Sequence, residues 1–448
     1  MSNLNDLLSK KATDARIASL QLAQLPSQTK NNALKAASVL ILEHKEELLS
    51  ANKKDIAKAA ALLEKGALTK PLFDRLKLDD SKIIEISKMV ASVADLDDPV
   101  GRTPYSTKMD NGLDLYKVTV PFGVIVSIFE ARPDALPQIA SLCIKSGNSV
   151  ILKGGSEAKE SNRAMLKSLN EAFVAEGLPE GCIQLIEERE AVSTLLKMDG
   201  MVDLIIPRGS NEFVKFIQEN TQIPVLGHSA GICHIFVDSM ADPSMAVSIC
   251  NDARVQYPAA CNSMKVLLVD SKAAEKLLPP IAKKLTENGV IIKGCARALR
   301  MLEPRGIKAI PADEKDWSTE YLDLTLPVKV VDGVGEAIAH INRYGSKHTD
   351  SIITEDDTTA KTFMRMVDSS TVIRNASTRF SDGYRYGLGA EVGISTNKVH
   401  ARGPVGLEGL VTTKFFLLGS GQKVADYVGK NAKPFIHGKV DTSLSKRF

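Results

Sequence analysis

From Pro121 onward, short β-branched runs alternate with helical segments, and that rhythm confines the chain to a parallel α/β architecture. GVIVSIF (123–129) leads into a helical stretch through PDALPQIASLCIKS (133–146), NSVILKGG (148–155) follows, and a second helical stretch runs through AKESNRAMLKSLNEAFVAEG (158–177). GCIQLIE (181–187) and VDLIIPRGS (202–210) continue the series. After Cys261 the pattern returns in SMKVLLV, a helix over 271–288, GVIIKG, IKAIPA, TLPVKVV and a helix beginning near Gly333. Parallel strands need a crossover, usually helical, between them, so each series predicts a sheet with its own helices. Two α/β units are expected, one on each side of residue 240.

The segment before Pro121 reads differently. From Leu7 to about Asp98 apolar residues recur three and four apart, the period of amphipathic packing helices. LDLYKVTV (113–120) alternates behind an Asp110-Asn111-Gly112 turn, which predicts a hairpin arm suited to oligomer contacts. At 448 residues the chain exceeds one ordinary core. Its 44% hydrophobic and 25% charged residues are globular usage, and a net charge of +3 with interspersed signs offers no basic face for nucleic acid. No apolar run reaches membrane-spanning length, the N-terminus lacks a sustained apolar stretch, and the six cysteines form no C-x-x-C pair. A cytoplasmic protein with no membrane or nucleic-acid partner is expected.

Parallel sheets bind ligands beyond the C-terminal ends of their strands. Two junctions deserve notice on that ground. Lys153-Gly154-Gly155-Ser156 ends one strand just before a helix, and Arg208-Gly209-Ser210-Asn211 ends another. Helix N-termini favour anions and glycines let a ligand approach the backbone, so the pair would frame one dinucleotide. The competing readings are an ordinary turn with a surface lysine and an N-cap at Ser210. Cys261 lies among small residues in VQYPAACNS (255–263). It is either a nucleophile in a roomy loop or a buried inert thiol, the usual state of cysteine. NASTRF (375–380) and EVGIS (391–395) have the composition of binding loops or of irregular turns.

Taken together, PFGVIVSIFEARPDAL, SGNSVILKGGSEA, IIPRGS, YPAACNS and NASTRFSDGYRYGLGAEVGISTNKVHARGPVGLEGL resemble the γ-glutamyl phosphate reductase family of the aldehyde dehydrogenase superfamily, up to about Gly421. The resemblance implies an aldehyde dehydrogenase-like α/β fold. Residues 1–100 and 121–240, with part of 385–405, would form a Rossmann-type nucleotide-binding domain; 241–384 the catalytic domain; 101–120 and 406–448 a small β oligomerisation arm and C-terminal tail. Cys261 matches the family's nucleophile, Lys153 the lysine at the adenosine ribose, Gly209-Ser210 the turn near the nicotinamide, and Glu320 the glutamate at the nicotinamide ribose. Ser156 stands where NAD-preferring relatives often carry glutamate, and a neutral hydroxyl there tolerates a 2′-phosphate. NADPH is therefore the expected cofactor.

The implied reaction is reduction of L-glutamyl 5-phosphate to glutamate 5-semialdehyde through a Cys261 thioester, the second step of proline biosynthesis. The superfamily's general-base glutamate has no counterpart in PVLGHSAGICHIFV (224–237), as suits an enzyme whose thioester must outlast water. Backbone N–H groups around Cys261 and an unassigned polar side chain would hold the oxyanion. Arg132 is the first candidate for the substrate's phosphate or carboxylate, against a structural pairing with Glu130. Asn251, His228, Asn375 and Arg379 follow it. His348 and His400 read as surface or loop residues, not metal ligands. A homo-oligomer and a transient contact with a separate glutamate 5-kinase are further expectations. The alternatives are another acyl-phosphate or aldehyde dehydrogenase of the superfamily, and a catalytically silent binding protein.

Overall fold

A computed structural model describes residues 2–130, 132–188, 190–227, 230–440 and 443–444. The helical period of the N-terminal segment is realised in helices Ser2–Leu22, Ser27–Glu43, Lys45–Glu64, Lys70–Leu76 and Asp80–Ala94. The hairpin follows: β1 (Tyr105–Asp110) pairs antiparallel with β2 (Leu113–Pro121), and Gly112 takes the turn with a φ of 71°.

β3 (Val124–Phe129), β4 (Ser149–Lys153), β5 (Ile183–Ile186) and β6 (Leu204–Arg208) form a four-stranded parallel sheet in the order β5-β4-β3-β6. Its strands are apolar on both faces because both are covered. Ile125, Leu152 and Ile206 share a core with Leu34, Ile41, Ile83 and Val90 of the N-terminal helices, through Ile139 and Leu169 of helices Ala135–Lys145 and Lys159–Ala175. On the other face Val124, Val126, Ile151 and Ile205 meet Leu8, Ala12 and Ala15 of the first helix. Each fully buried aliphatic side chain contributes about 1.5–3 kcal/mol.

β7 (Cys233–Val237), β8 (Met264–Asp270), β9 (Ile291–Gly294), β10 (Ala309–Pro311), β11 (Thr325–Val331), β12 (Thr349–Ile353) and β13 (Thr371–Arg374) build a seven-stranded parallel sheet ordered β10-β9-β11-β8-β7-β12-β13. β7 lies inside it, between β8 and β12, so the division between sheets falls before Cys233 and not at residue 240. Nothing in a β-branched run says which parallel sheet it joins. β14 (Gly393–Ser395) and β15 (Gly403–Val405) form a short antiparallel pair, and β16 (Val411–Leu418) returns to pair with β2, giving the hairpin arm a third strand. Among the described residues no helix is long and apolar enough to cross a membrane. His348 is a loop residue, fully buried before β12 and 2.9 Å from the Thr349 hydroxyl, while His400 meets the Gly409 carbonyl at 2.8 Å. Among the described residues no cluster suits a metal ion.

Candidate active site

β3 has β4 on one side and β6 on the other, so chain order reverses at β3, and the C-terminal ends of these neighbours are where a parallel sheet offers a ligand crevice. Glu130 follows β3, Lys153 ends β4, and Arg208 ends β6. Lys153 is 6% exposed and donates to the Gly154 carbonyl at 2.7 Å. Ser210 caps helix Asn211–Glu219 by accepting from the Phe213 N–H at 3.3 Å, and its own N–H donates to the Glu130 carboxylate at 3.3 Å. The N-cap reading of Ser210 therefore holds together with its place in the crevice. Burial pushes the Glu130 carboxyl above its ordinary range, against that hydrogen bond.

Two details of the crevice differ from the sequence expectation. The N-terminus of helix Lys159–Ala175 is occupied by the chain itself: Asp55 accepts from the Glu160 N–H at 3.1 Å and the Ser161 N–H at 2.8 Å. Ser156 has a carboxylate beside it, Glu157, at 3.5 Å, so that corner is not neutral.

Cys261 sits in a tight turn just ahead of β8. The Ala260 N–H donates to the Tyr257 carbonyl at 3.1 Å, and the Ser263 N–H to the Ala260 carbonyl at 3.1 Å. Gly231, two residues before β7, packs on the turn so closely that a Cβ there would lie 2.3 Å from the Cys261 carbonyl oxygen. The Cys233 thiol donates to that carbonyl at 3.2 Å, and the Asn262 side chain donates to the Ser381 carbonyl at 2.8 Å. Cys261 is partly exposed, whereas Cys143, Cys182, Cys233 and Cys250 are buried. Burial drives the Cys182 thiol up to about 12 and holds Cys143, Cys233 and Cys250 far above their ordinary value, so these four are inert.

Charged groups from distant parts of the chain feel Cys261. Arg208 is depressed by burial and then by Arg132, while Glu391, Asp134 and Cys261 act against this. Its side chain donates to Gln138 at 3.2 Å. Arg379 is depressed by burial and Arg385; it donates to Gln256 at 2.8 Å and lies over the Tyr257 ring. Glu391 accepts from the Gly383 N–H at 2.8 Å, and burial pushes its carboxyl up to about 7 against the pull of Arg208. Lys265 and Arg254 lie fully buried behind the turn. Arg208 and Glu391 stood in segments the sequence marked, the IIPRGS junction and the EVGIS loop, but were not read as neighbours of Cys261, and Lys265 was masked inside an apolar strand.

Glu320 accepts from Asn211 at 3.0 Å and exerts a charge on Lys265, so it bridges the helix after β6 to the Cys261 side. Arg132 pairs with Asp134 at 3.4 Å, not with Glu130. Asn251 is not brought to the cluster: it accepts from Asn288 at 3.0 Å on the outside of helix Pro243–Val255. Asn375, with a φ of 53°, spans the Thr354 N–H and carbonyl at 2.9 and 3.0 Å. It lies past the C-terminal end of β13, opposite the strand end at which Cys261 stands. His228 lies outside the described residues.

The crevice fits a dinucleotide. A Cβ at Gly209 would come 2.9 Å from the Phe213 ring and 3.0 Å from the Glu130 carboxyl, so only glycine leaves the gap open. The buried Asn162 side-chain oxygen, beside Gly154, has no hydrogen-bond partner among the described residues. The sequence profile of the aldehyde dehydrogenase family matches residues 6–291. The chain is 52% identical to a gamma-glutamyl phosphate reductase of Methanosarcina acetivorans, over 97% of this chain and 98% of the relative. It is 53% identical to that of Natronomonas pharaonis, over 97% and 98%. The crystal structure of gamma-glutamyl phosphate reductase from Thermotoga maritima superposes with a TM-score of 0.88 at 40% identity, covering 93% of this chain and 99% of that one. With crevice, cysteine turn and full-length likeness in agreement, the chain belongs to the aldehyde dehydrogenase family, among its gamma-glutamyl phosphate reductases.

Proposed function

We propose that this chain reduces L-glutamyl 5-phosphate to L-glutamate 5-semialdehyde and phosphate, with NADPH as reductant and Cys261 as nucleophile. The observation that carries the reading is the placement of Cys261 at a strand end where Arg208, Arg379, Lys265 and Glu391 all act on its charge.

The Cys261 thiolate attacks the acyl carbon, the acyl C–O bond breaks, and phosphate leaves with its electron pair, so a thioester forms. Arg132, Arg208 and Arg379 divide the substrate's phosphate and α-carboxylate between them. Guanidinium suits both anions, and Arg208 and Arg379 hold depressed values that a bound anion would relieve. Lys153, Ser156, Gly209, Ser210 and Glu320 line the place for the cofactor, which supplies hydride when bound. The thiohemiacetal oxyanion on Cys261 then collapses to aldehyde and releases the thiolate. Glu391, whose carboxyl titrates near neutrality, takes the proton that the resting thiol must lose. With Glu157 beside Ser156, preference for NADPH rests on Lys153 meeting the 2′-phosphate. A cytoplasmic homo-oligomer that meets a separate glutamate kinase completes the proposal.

The test is the reverse reaction, reduction of NADP by glutamate 5-semialdehyde, with and without phosphate, in wild type and Cys261→Ala, with NAD for comparison. Phosphate-dependent activity that prefers NADP and vanishes in folded Cys261→Ala is expected. Activity without phosphate would shift the assignment to another substrate of the family.

A further inference from the structure

Lys265 is 0% exposed on β8, a strand whose seven positions are all buried, and an ammonium in such a place needs a reason. No carboxylate forms a salt bridge with it among the described residues. Its three N–H donors are instead matched by three acceptors of the turn ahead of it: the Pro258 carbonyl at 2.5 Å, the Ala260 carbonyl at 3.1 Å and the Ser263 hydroxyl at 3.0 Å. All three lie within three residues of Cys261. Arg254, also 0% exposed, reinforces the arrangement by donating to the Met264 carbonyl at 2.9 Å and to the Ser263 hydroxyl at 3.4 Å.

We propose that Lys265 is the positioning residue of the nucleophile: its buried ammonium fixes the turn over residues 258–263 and favours the thiolate of Cys261 over the thiol. A hydrophobic residue would pack the same strand position without the cost of a buried charge, so the fold alone does not call for lysine. Three turn acceptors converging on one cation set the direction of the backbone that carries Cys261. The cation's field then favours the anion at the sulfur, and it acts through a dry interior where charges are weakly screened. Cys261 and Lys265 feel each other's charge, as do Glu320, Cys233 and Arg254 from the surrounding elements; Arg208, Arg379 and Glu391 face Cys261 from the cleft side. Burial lowers Lys265 to about 8, so it remains the charged partner at neutral pH.

This inference rests on Cys261 being the nucleophile, but its test uses neither substrate nor cofactor, so the two fail separately. Iodoacetamide alkylation of Cys261 is followed against pH by peptide mass spectrometry in wild type, Lys265→Met and Lys265→Arg. The expected result is a wild-type midpoint below the ordinary thiol value of about 8.5, a rise of about one unit or more in Lys265→Met, and restoration in Lys265→Arg. At pH 7 that rise reads as alkylation slowed about tenfold. A merely structural lysine would change folding without moving the midpoint. A folded Lys265→Met with the wild-type midpoint overturns the proposal. If Lys265→Met does not fold, a wild-type midpoint at or above about 8.5 overturns it, and a low midpoint kept in Lys265→Arg upholds it.

Discussion

Gly231 has no side chain because the Cys261 turn fills the space one would occupy. Its added Cβ would sit 2.3 Å from the Cys261 carbonyl oxygen and 2.6 Å from the Cys261 Cα, and backbone cannot retreat as a flexible side chain does. Gly231→Ala should therefore cost about 1–3 kcal/mol by overpacking, read from chemical denaturation, and should lower kcat/KM at least tenfold by displacing Cys261, the proposed nucleophile. Wild-type activity in this variant would show that the turn shifts without consequence. Glu391 gives a prediction in pH. Its carboxyl is raised from 4.5 to about 7 in the folded chain, so between those values the folded state holds a proton that the unfolded state has lost. Stability contributed by this group is thus complete at low pH and declines as pH rises through the window. Glu391→Gln keeps an acceptor for the Gly383 N–H but carries no charge. It should exceed wild type in stability by about 1–3 kcal/mol at pH 8, with the difference vanishing near pH 4, measured as thermal midpoints across pH. A gap that does not change with pH would assign the effect to packing.

At the scale of elements, helix Lys159–Ala175 shows how the Lys153–Ser156 junction, the proposed cofactor site, is held in place. It has no side-chain cap of its own; Asp55, from helix Lys45–Glu64, reaches over to accept from the Glu160 and Ser161 N–H groups and from the Ser161 hydroxyl at 2.7 Å. Asp55→Ala should cost about 1–3 kcal/mol, the penalty for stranding buried donors, and should raise the Michaelis constant for cofactor more than it lowers kcat, because the helix follows Lys153–Ser156 directly. Steady-state kinetics with NADPH varied separates the two. The N-terminal helices, the hairpin arm and the strands from β3 to β6 and β8 to β11 were legible from period and length, since 3.6-residue and 2-residue patterns are local properties. Asp55 was not, because its polar side chain on an amphipathic helix has no local mark telling an N-cap for another helix from a solvated position. The sheet to which β7 belongs was hidden for a related reason: strand order is fixed by long-range packing, and GICHIFV reads the same in either sheet.

At the scale of the molecule, contiguous motifs marked Lys153, Gly209, Ser210 and Cys261 as candidates in the sequence. It was illegible where residues 208, 265 and 391 converge across two sheets and a C-terminal loop. The arm poses the remaining question of assembly. β16 pairs with β2 along its whole length, from Val411 opposite Pro121 to Leu418 opposite Asp114, yet among the described residues its other edge has no strand. Phe415 is 60% exposed and Leu417 is 55% exposed on that edge strand, and Tyr105 of β1 is 52% exposed. An edge this apolar is a template for a further strand or an apolar face, and a second copy of the chain is the partner always present at the required concentration. Two buried aromatic or aliphatic anchors per copy contribute several kcal/mol, about 1.5–3 kcal/mol each, so charging them should dissolve a closed assembly. Phe415→Lys combined with Leu417→Lys should shift the mass from light scattering to a smaller species at micromolar concentration while leaving the wild-type circular dichroism spectrum. Because Cys261, Lys153 and Arg208 all lie on the same chain and away from the arm, the smaller species should keep cofactor binding, measured by NADPH fluorescence. A double variant that retains the wild-type mass would place the contact elsewhere, whereas one that loses mass and cofactor binding together would mean that the arm also shapes the crevice.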